Sequence, residues 1–159
     1  MLFRWKDVYR GLILSNLVNA GKSTRLMLIE CGNLESHQVM EINATSYLYF
    51  KQGTPLRLGK NRWQFVFTAR TIDQIRSFVS NKPTALALLC CPRRFNPEKI
   101  VIAFIHPTEL ANMLKLDSSN QQIINVQYLK GRIRVIGSVS FGSRPEYLVK
   151  RNEIQHWGI

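Results

Sequence analysis

The chain has 159 residues, 45% hydrophobic and 20% charged, a length and balance that suit one globular domain rather than two. No run approaches the ~18 consecutive apolar residues of a membrane-spanning helix, which sets a membrane partner aside. Twenty-two Lys and Arg against ten Asp and Glu leave a net charge of +12, an excess that calls for a polyanionic partner, nucleic acid first.

Over residues 5–20, Trp5, Val8, Tyr9, Leu12, Ile13, Leu17 and Ala20 recur at three- and four-residue steps, the spacing of one helical face, and Gly21 ends the run. Asp7, Asn16 and Asn19 interrupt this stretch and no small-residue cleavage site follows, so it reads as a helix and not as a signal peptide. Residues 25–31, 38–44 and 46–51 read as three short strands, parted by Gly32-Asn33 and by a tight break near Thr45. A loop over 52–61, rich in Gly, Pro and basic residues, leads to a fourth strand at 62–68, where Trp63, Phe65 and Phe67 alternate with Gln64 and Val66.

Thr71 is placed to cap a helix running through Ser80, with Ile72, Ile75, Phe78 and Val79 turned inward. The run at 85–91 is apolar on both faces, the pattern of a strand inside a covered sheet, reached by a parallel crossover after a helix. Arg93, Arg94, Asn96 and Pro97 make a loop before a strand at 100–105, and His106-Pro107-Thr108 opens a short helix to Leu116. Residues 123–129 and 132–137 predict a hairpin turning at Lys130-Gly131, with Arg132 and Arg134 on one side and Ile133 and Val135 on the other. Gly142, Ser143 and Pro145 then break regularity, so 1–137 reads as the nucleic-acid-binding domain and 138–159 as a loosely docked C-terminal extension.

Two regions concentrate the charge. Residues 51–70 carry Lys51, Arg57, Lys60, Arg62 and Arg70 without one acid, and the tail adds Lys130, Arg132, Arg134, Arg144, Lys150 and Arg151. Arg57, Lys60, Arg62, Arg93, Arg94, Lys130, Arg132 and Arg134 are the expected phosphate contacts, with Asn61, Gln64 or Arg93 available to base edges. DNA is the expected polymer, and RNA fits the same phosphate chemistry.

Other motifs carry less. Cys90 and Cys91 sit in an apolar run and, with Cys31, read as reduced thiols of a cytoplasmic protein. His37, His106 and His156 lack the spacing of a zinc site. Gly21-Lys22-Ser23-Thr24 copies the end of a phosphate-binding loop, but Asn16 stands where its first glycine belongs and a helix precedes it instead of a strand. His106 before Pro107 reads as a cap or a packed side chain rather than a general base.

The order of helix, strand meander, helix and buried strand resembles the core of the PD-(D/E)xK restriction-endonuclease-like superfamily. The strings YLYFKQ, RWQFVF, TALALLCC and IVIAFIHPTELANML carry the resemblance over residues 5–116. It implies a single α/β domain whose central mixed sheet is flanked by helices, followed here by the C-terminal hairpin. In that superfamily an acid and an E-x-K on neighbouring strands hold a divalent metal and orient the attacking water.

Tyr49-Phe50-Lys51 stands in the E-x-K slot, so the lysine is kept and the carboxylate is replaced by a poor ligand for a hard cation. The resemblance thus implies Lys51 as catalytic lysine, Glu41 as catalytic residue and metal ligand, Mg2+ as cofactor, and a homodimer of the kind many relatives form. The competing reading makes Glu41 and Lys51 a cross-strand ion pair; Asp7 or Asp73 are further acids that a metal site could recruit. Three functions follow: a Mg2+-dependent endodeoxyribonuclease, a nuclease-like module that holds nucleic acid without cutting it, and a basic RNA-associated assembly protein.

Overall fold

The computed structural model describes residues 5–19, 26–29, 37–56, 61–94, 96–137 and 146–150. Helix α1 (Trp5–Asn19) precedes an antiparallel meander of β1 (Leu26–Ile29), β2 (His37–Ile42) and β3 (Ser46–Gly53). Strand β4 (Arg62–Phe67) and helix α2 (Ala69–Asn81) follow, and β5 (Thr84–Cys90) returns parallel to β3, with Tyr47 opposite Thr84 and Lys51 opposite Leu88. Strand β6 (Val101–Ile105) completes a mixed five-stranded sheet ordered β1-β2-β3-β5-β6. All seven β5 residues are buried, as its unbroken apolar run requires.

Strand β4 does not extend this sheet. After α3 (Pro107–Met113) the chain forms β7 (Gln122–Leu129), β8 (Arg132–Ile136) and β9 (Glu146–Lys150), and β4 pairs with β7 in a second, antiparallel sheet ordered β4-β7-β8-β9. The reason lies in the alternation. Trp63, Phe65 and Phe67 of β4, Ile124 and Val126 of β7, and Ile133 and Val135 of β8 are all buried on one face, which makes this sheet a layer whose apolar side packs into the core. Trp63 links the layers by donating its indole N–H to the Cys91 carbonyl at 2.8 Å.

The hairpin turns at Lys130 (φ 49°) and Gly131 (φ 78°), the two left-handed residues of a type I′ turn. Strand β9 (Glu146–Lys150) pairs antiparallel with β8, so this part of the segment expected to dock loosely is a sheet strand. Helix α2 starts earlier than expected: Thr68 is the cap, accepting from the Thr71 N–H at 3.3 Å, and Thr71 is buried inside the first turn. Among the described residues no helix is long and apolar enough to cross a membrane.

Candidate nucleic-acid interface

Register determines which side chains share the outer face of the second sheet. Arg62 lies opposite Gln127 and Gln64 opposite Asn125; Gln127 lies opposite Arg134, Leu129 opposite Arg132, and Asn125 opposite Ile136. Because directly paired residues point to the same side, Arg62, Gln64, Asn125, Gln127, Arg132 and Arg134 form one surface, back to back with the buried aromatic face. Arg62, Gln64, Arg132 and Arg134 are exposed. No Asp or Glu occurs in β4, β7 or β8, and the β9 positions paired with Arg132 and Ile136 are Lys150 and Glu146.

The surface is ordered by its own polar groups. With its amide oxygen turned to the guanidinium, Gln127 accepts from both Nε and Nη2 of Arg62 at 3.2 Å, an orientation that avoids facing donor with donor. Gln64 donates through Nε2 to Asn125 Oδ1 at 3.4 Å. At the β4 edge, Leu56 N–H donates to the Arg62 carbonyl at 2.8 Å and Arg93 Nη2 donates to the Leu56 carbonyl at 3.1 Å, which brings Arg93 beside the same row. A cavity of about 290 Å³ between Leu56, Arg62, Asn125, Gln127 and Ile136 runs from this edge across β7 to β8. Arg94 is exposed in the loop with Arg93, and Lys130 is exposed at the hairpin tip. Arg57 and Lys60 lie outside the described residues.

Glu41 and Lys51 are not brought together. Glu41 lies opposite Tyr47 and Lys51 opposite His37, four register positions apart, or roughly 13 Å along the strand. Glu41 instead accepts from Lys82 Nζ at 2.6 Å, and Lys82 lies over the Tyr47 ring, 5.1 Å from its centroid. The hydrogen bond to Glu41 holds the Lys82 ammonium above its ordinary pKa. The cross-strand ion pair expected between Glu41 and Lys51 is thus a Glu41–Lys82 pair. Lys82 caps the C-terminal end of α2 just before Thr84, which pairs with Tyr47 across from Glu41. The crossover that placed 85–91 beside the meander was the signal for it.

Lys51 turns toward the second sheet. Its Nζ donates to the Val66 carbonyl at 2.6 Å and stands 5.1 Å from the centre of the Phe67 ring, and burial lowers its pKa below the ordinary lysine value. Tyr49, in the position of the E-x-K acid, is 1% exposed and packed in the core. The donors present therefore do not suit Mg2+: one carboxylate is committed to a lysine, the lysine to a carbonyl, and the third position is an aromatic ring. Asp73 pairs with Arg76 on α2 at 2.8 Å. Among the described residues no three His, Cys, Asp or Glu side chains gather as a metal group.

His106 caps α3, its Nδ1 accepting from the Thr108 N–H at 3.3 Å, with Pro107 next in the first turn. Cys90 and Cys91 are buried in the core, and burial, then the neighbouring Cys91, pushes the Cys90 thiol well above its ordinary pKa. The two sheets define an α/β protein with a mixed central sheet and an antiparallel second sheet that bears exposed arginines. The sequence matches no protein-family model, no curated protein and no solved structure.

Proposed function

We propose that this protein binds nucleic acid through the outer face of β4, β7 and β8, as a nuclease-like module that holds the polymer without cutting it at Glu41 and Lys51. The observation that carries this reading is the convergence of Arg62, Arg132 and Arg134, from segments about 70 residues apart in the chain, on one exposed face to which β4, β7 and β8 contribute no acid. Arg93 at the adjoining edge extends the row. The meander followed by α2 and a parallel return to β3 supports the resemblance to the restriction-endonuclease-like core. The commitments of Glu41 and Lys51 favour the binding module over the Mg2+-dependent enzyme.

Binding of a fluorescent oligonucleotide, followed over a salt series, tests the proposal. Wild type is expected to lose affinity log-linearly with salt, and Arg62→Ala with Arg132→Ala and Arg134→Ala to flatten that slope by about 2–3. An unchanged slope in a folded triple variant removes this face from the interface. Plasmid DNA incubated with Mg2+ or Mn2+ and an EDTA control is expected to stay intact; metal-dependent nicking lost in Lys51→Ala would restore the enzyme.

A further inference from the structure

A half-buried amide, Gln127, stands beside the exposed guanidinium of Arg62. Resting on the nucleic-acid reading above, we infer that Gln127 is a positioning residue: it fixes the plane of the Arg62 guanidinium so that the outer fork meets a backbone phosphate end-on. Gln127 lies directly opposite Arg62 in the β4–β7 register, and its amide oxygen accepts from both Nε and Nη2 at 3.2 Å. Two contacts to one oxygen settle the rotation of the guanidinium, which a single contact leaves open.

A guanidinium carries five N–H groups in a fixed plane. Gln127 takes up the side edge formed by Nε and Nη2, so the end edge formed by Nη1 and the outer N–H of Nη2 is left for a ligand. That edge is the fork whose two parallel N–H groups match two oxygens of one phosphate. The cavity of about 290 Å³ is lined by both Arg62 and Gln127 and gives the anion space beside them. Arg134 lies on the other side of Gln127 in the same row, about 10 Å from Arg62 across two strand spacings.

The neutrality of the holder is what separates this arrangement from a structural one. Arg76 on α2 shows the alternative: Nη1 pairs with Asp73 at 2.8 Å, Nε donates to the Leu116 carbonyl, and Nη2 donates to the Ser118 carbonyl at 3.3 Å. That guanidinium has a carboxylate against it and all three nitrogens engaged, and it ties α2 to the segment before β7. Arg62 is oriented with its charge intact, since β4, β7 and β8 place no Asp or Glu beside it. A carboxylate in place of the Gln127 amide would orient the arginine equally well and repel the phosphate.

The test is a double-mutant cycle with Gln127→Met and Arg62→Lys, which keep side-chain length and net charge, read by binding of the fluorescent oligonucleotide with the folded fraction of each variant measured by circular dichroism. Each single variant is expected to weaken binding about fivefold. The two together are expected to weaken it no further than one alone, because the amide acts only through the fork. Wild-type affinity per folded molecule in either single variant, or losses that add in the pair, overturns the inference while leaving the binding reading in place. Wild type that binds no oligonucleotide overturns the binding reading itself.

Discussion

Lys51 gives its ammonium to the backbone: partly buried between β3 and β4, it donates to the Val66 carbonyl beside the Phe67 ring. Burial lowers its folded pKa below the 10.5 of the free side chain, so the folded state releases this proton before the unfolded state does. Stability from this group therefore rises with pH across the window between the lowered value and 10.5, where the unfolded chain binds more protons. Urea unfolding of wild type and Lys51→Met at pH 8 and pH 10.5 is expected to show the wild type gaining relative to the variant at the higher pH; a constant difference would contradict the burial. Gly137 is the second residue with a sharp local consequence. A Cβ there would stand 2.5 Å from the Met113 carbonyl oxygen and 2.6 Å from Met113 Cα, backbone that cannot swing away, so Gly137→Ala is expected to cost about 1–3 kcal/mol in denaturant unfolding.

At the scale of elements, the β7–β8 hairpin decides how the arginines are displayed. Its type I′ turn matches the twist of the flanking strands, and Gly131 at φ 78° has open space around its α-carbon. Gly131→Ala thus acts through the backbone alone and is expected to destabilise by about 1 kcal/mol, read as a fall of roughly 2–4 °C in Tm. Lys130 at φ 49° is the converse case: Lys130→Asn suits the left-handed region better and is expected to raise Tm while removing one charge from the tip. Strand β4 joins the two layers, since its inner aromatics pack in the core and its backbone carbonyl at Val66 receives Lys51. Arg62 and Gln64 consequently ride on a strand held from behind by close packing.

For the molecule as a whole, the relevant quantity is where the +12 charge lies. If binding followed net charge alone, any three cations would serve equally. Arg70 on α2, and Lys99 and Lys115 in the connections before β6 and after α3, are exposed outside the second sheet's strands, so changing these three to alanine removes the same charge as changing Arg62, Arg132 and Arg134. The off-face variant is expected to keep the wild-type salt slope to within about one unit, and the on-face variant to lose 2–3, roughly one per phosphate contact. Equal losses in the two would assign the affinity to bulk charge and not to the β4–β7–β8 face.

By itself the sequence determined the features that rest on local periodicity: the α/β class, the buried β5 run, the Lys130-Gly131 turn, and the split of Arg132 and Arg134 from Ile133 and Val135. These need only the steps of a helix or strand and the conformational demands of a turn. Tertiary structure decided which strands meet. An alternating strand such as β4 can pair with any neighbour of matching pattern, and residue spacing does not say that β7 is chosen over the meander. That one pairing sets Arg62 beside Arg134 across Gln127 and joins Gln64 to Asn125, while the β2–β3 register holds Lys51 four positions from Glu41, because register across distant strands is settled by how two apolar faces pack and not by either segment alone.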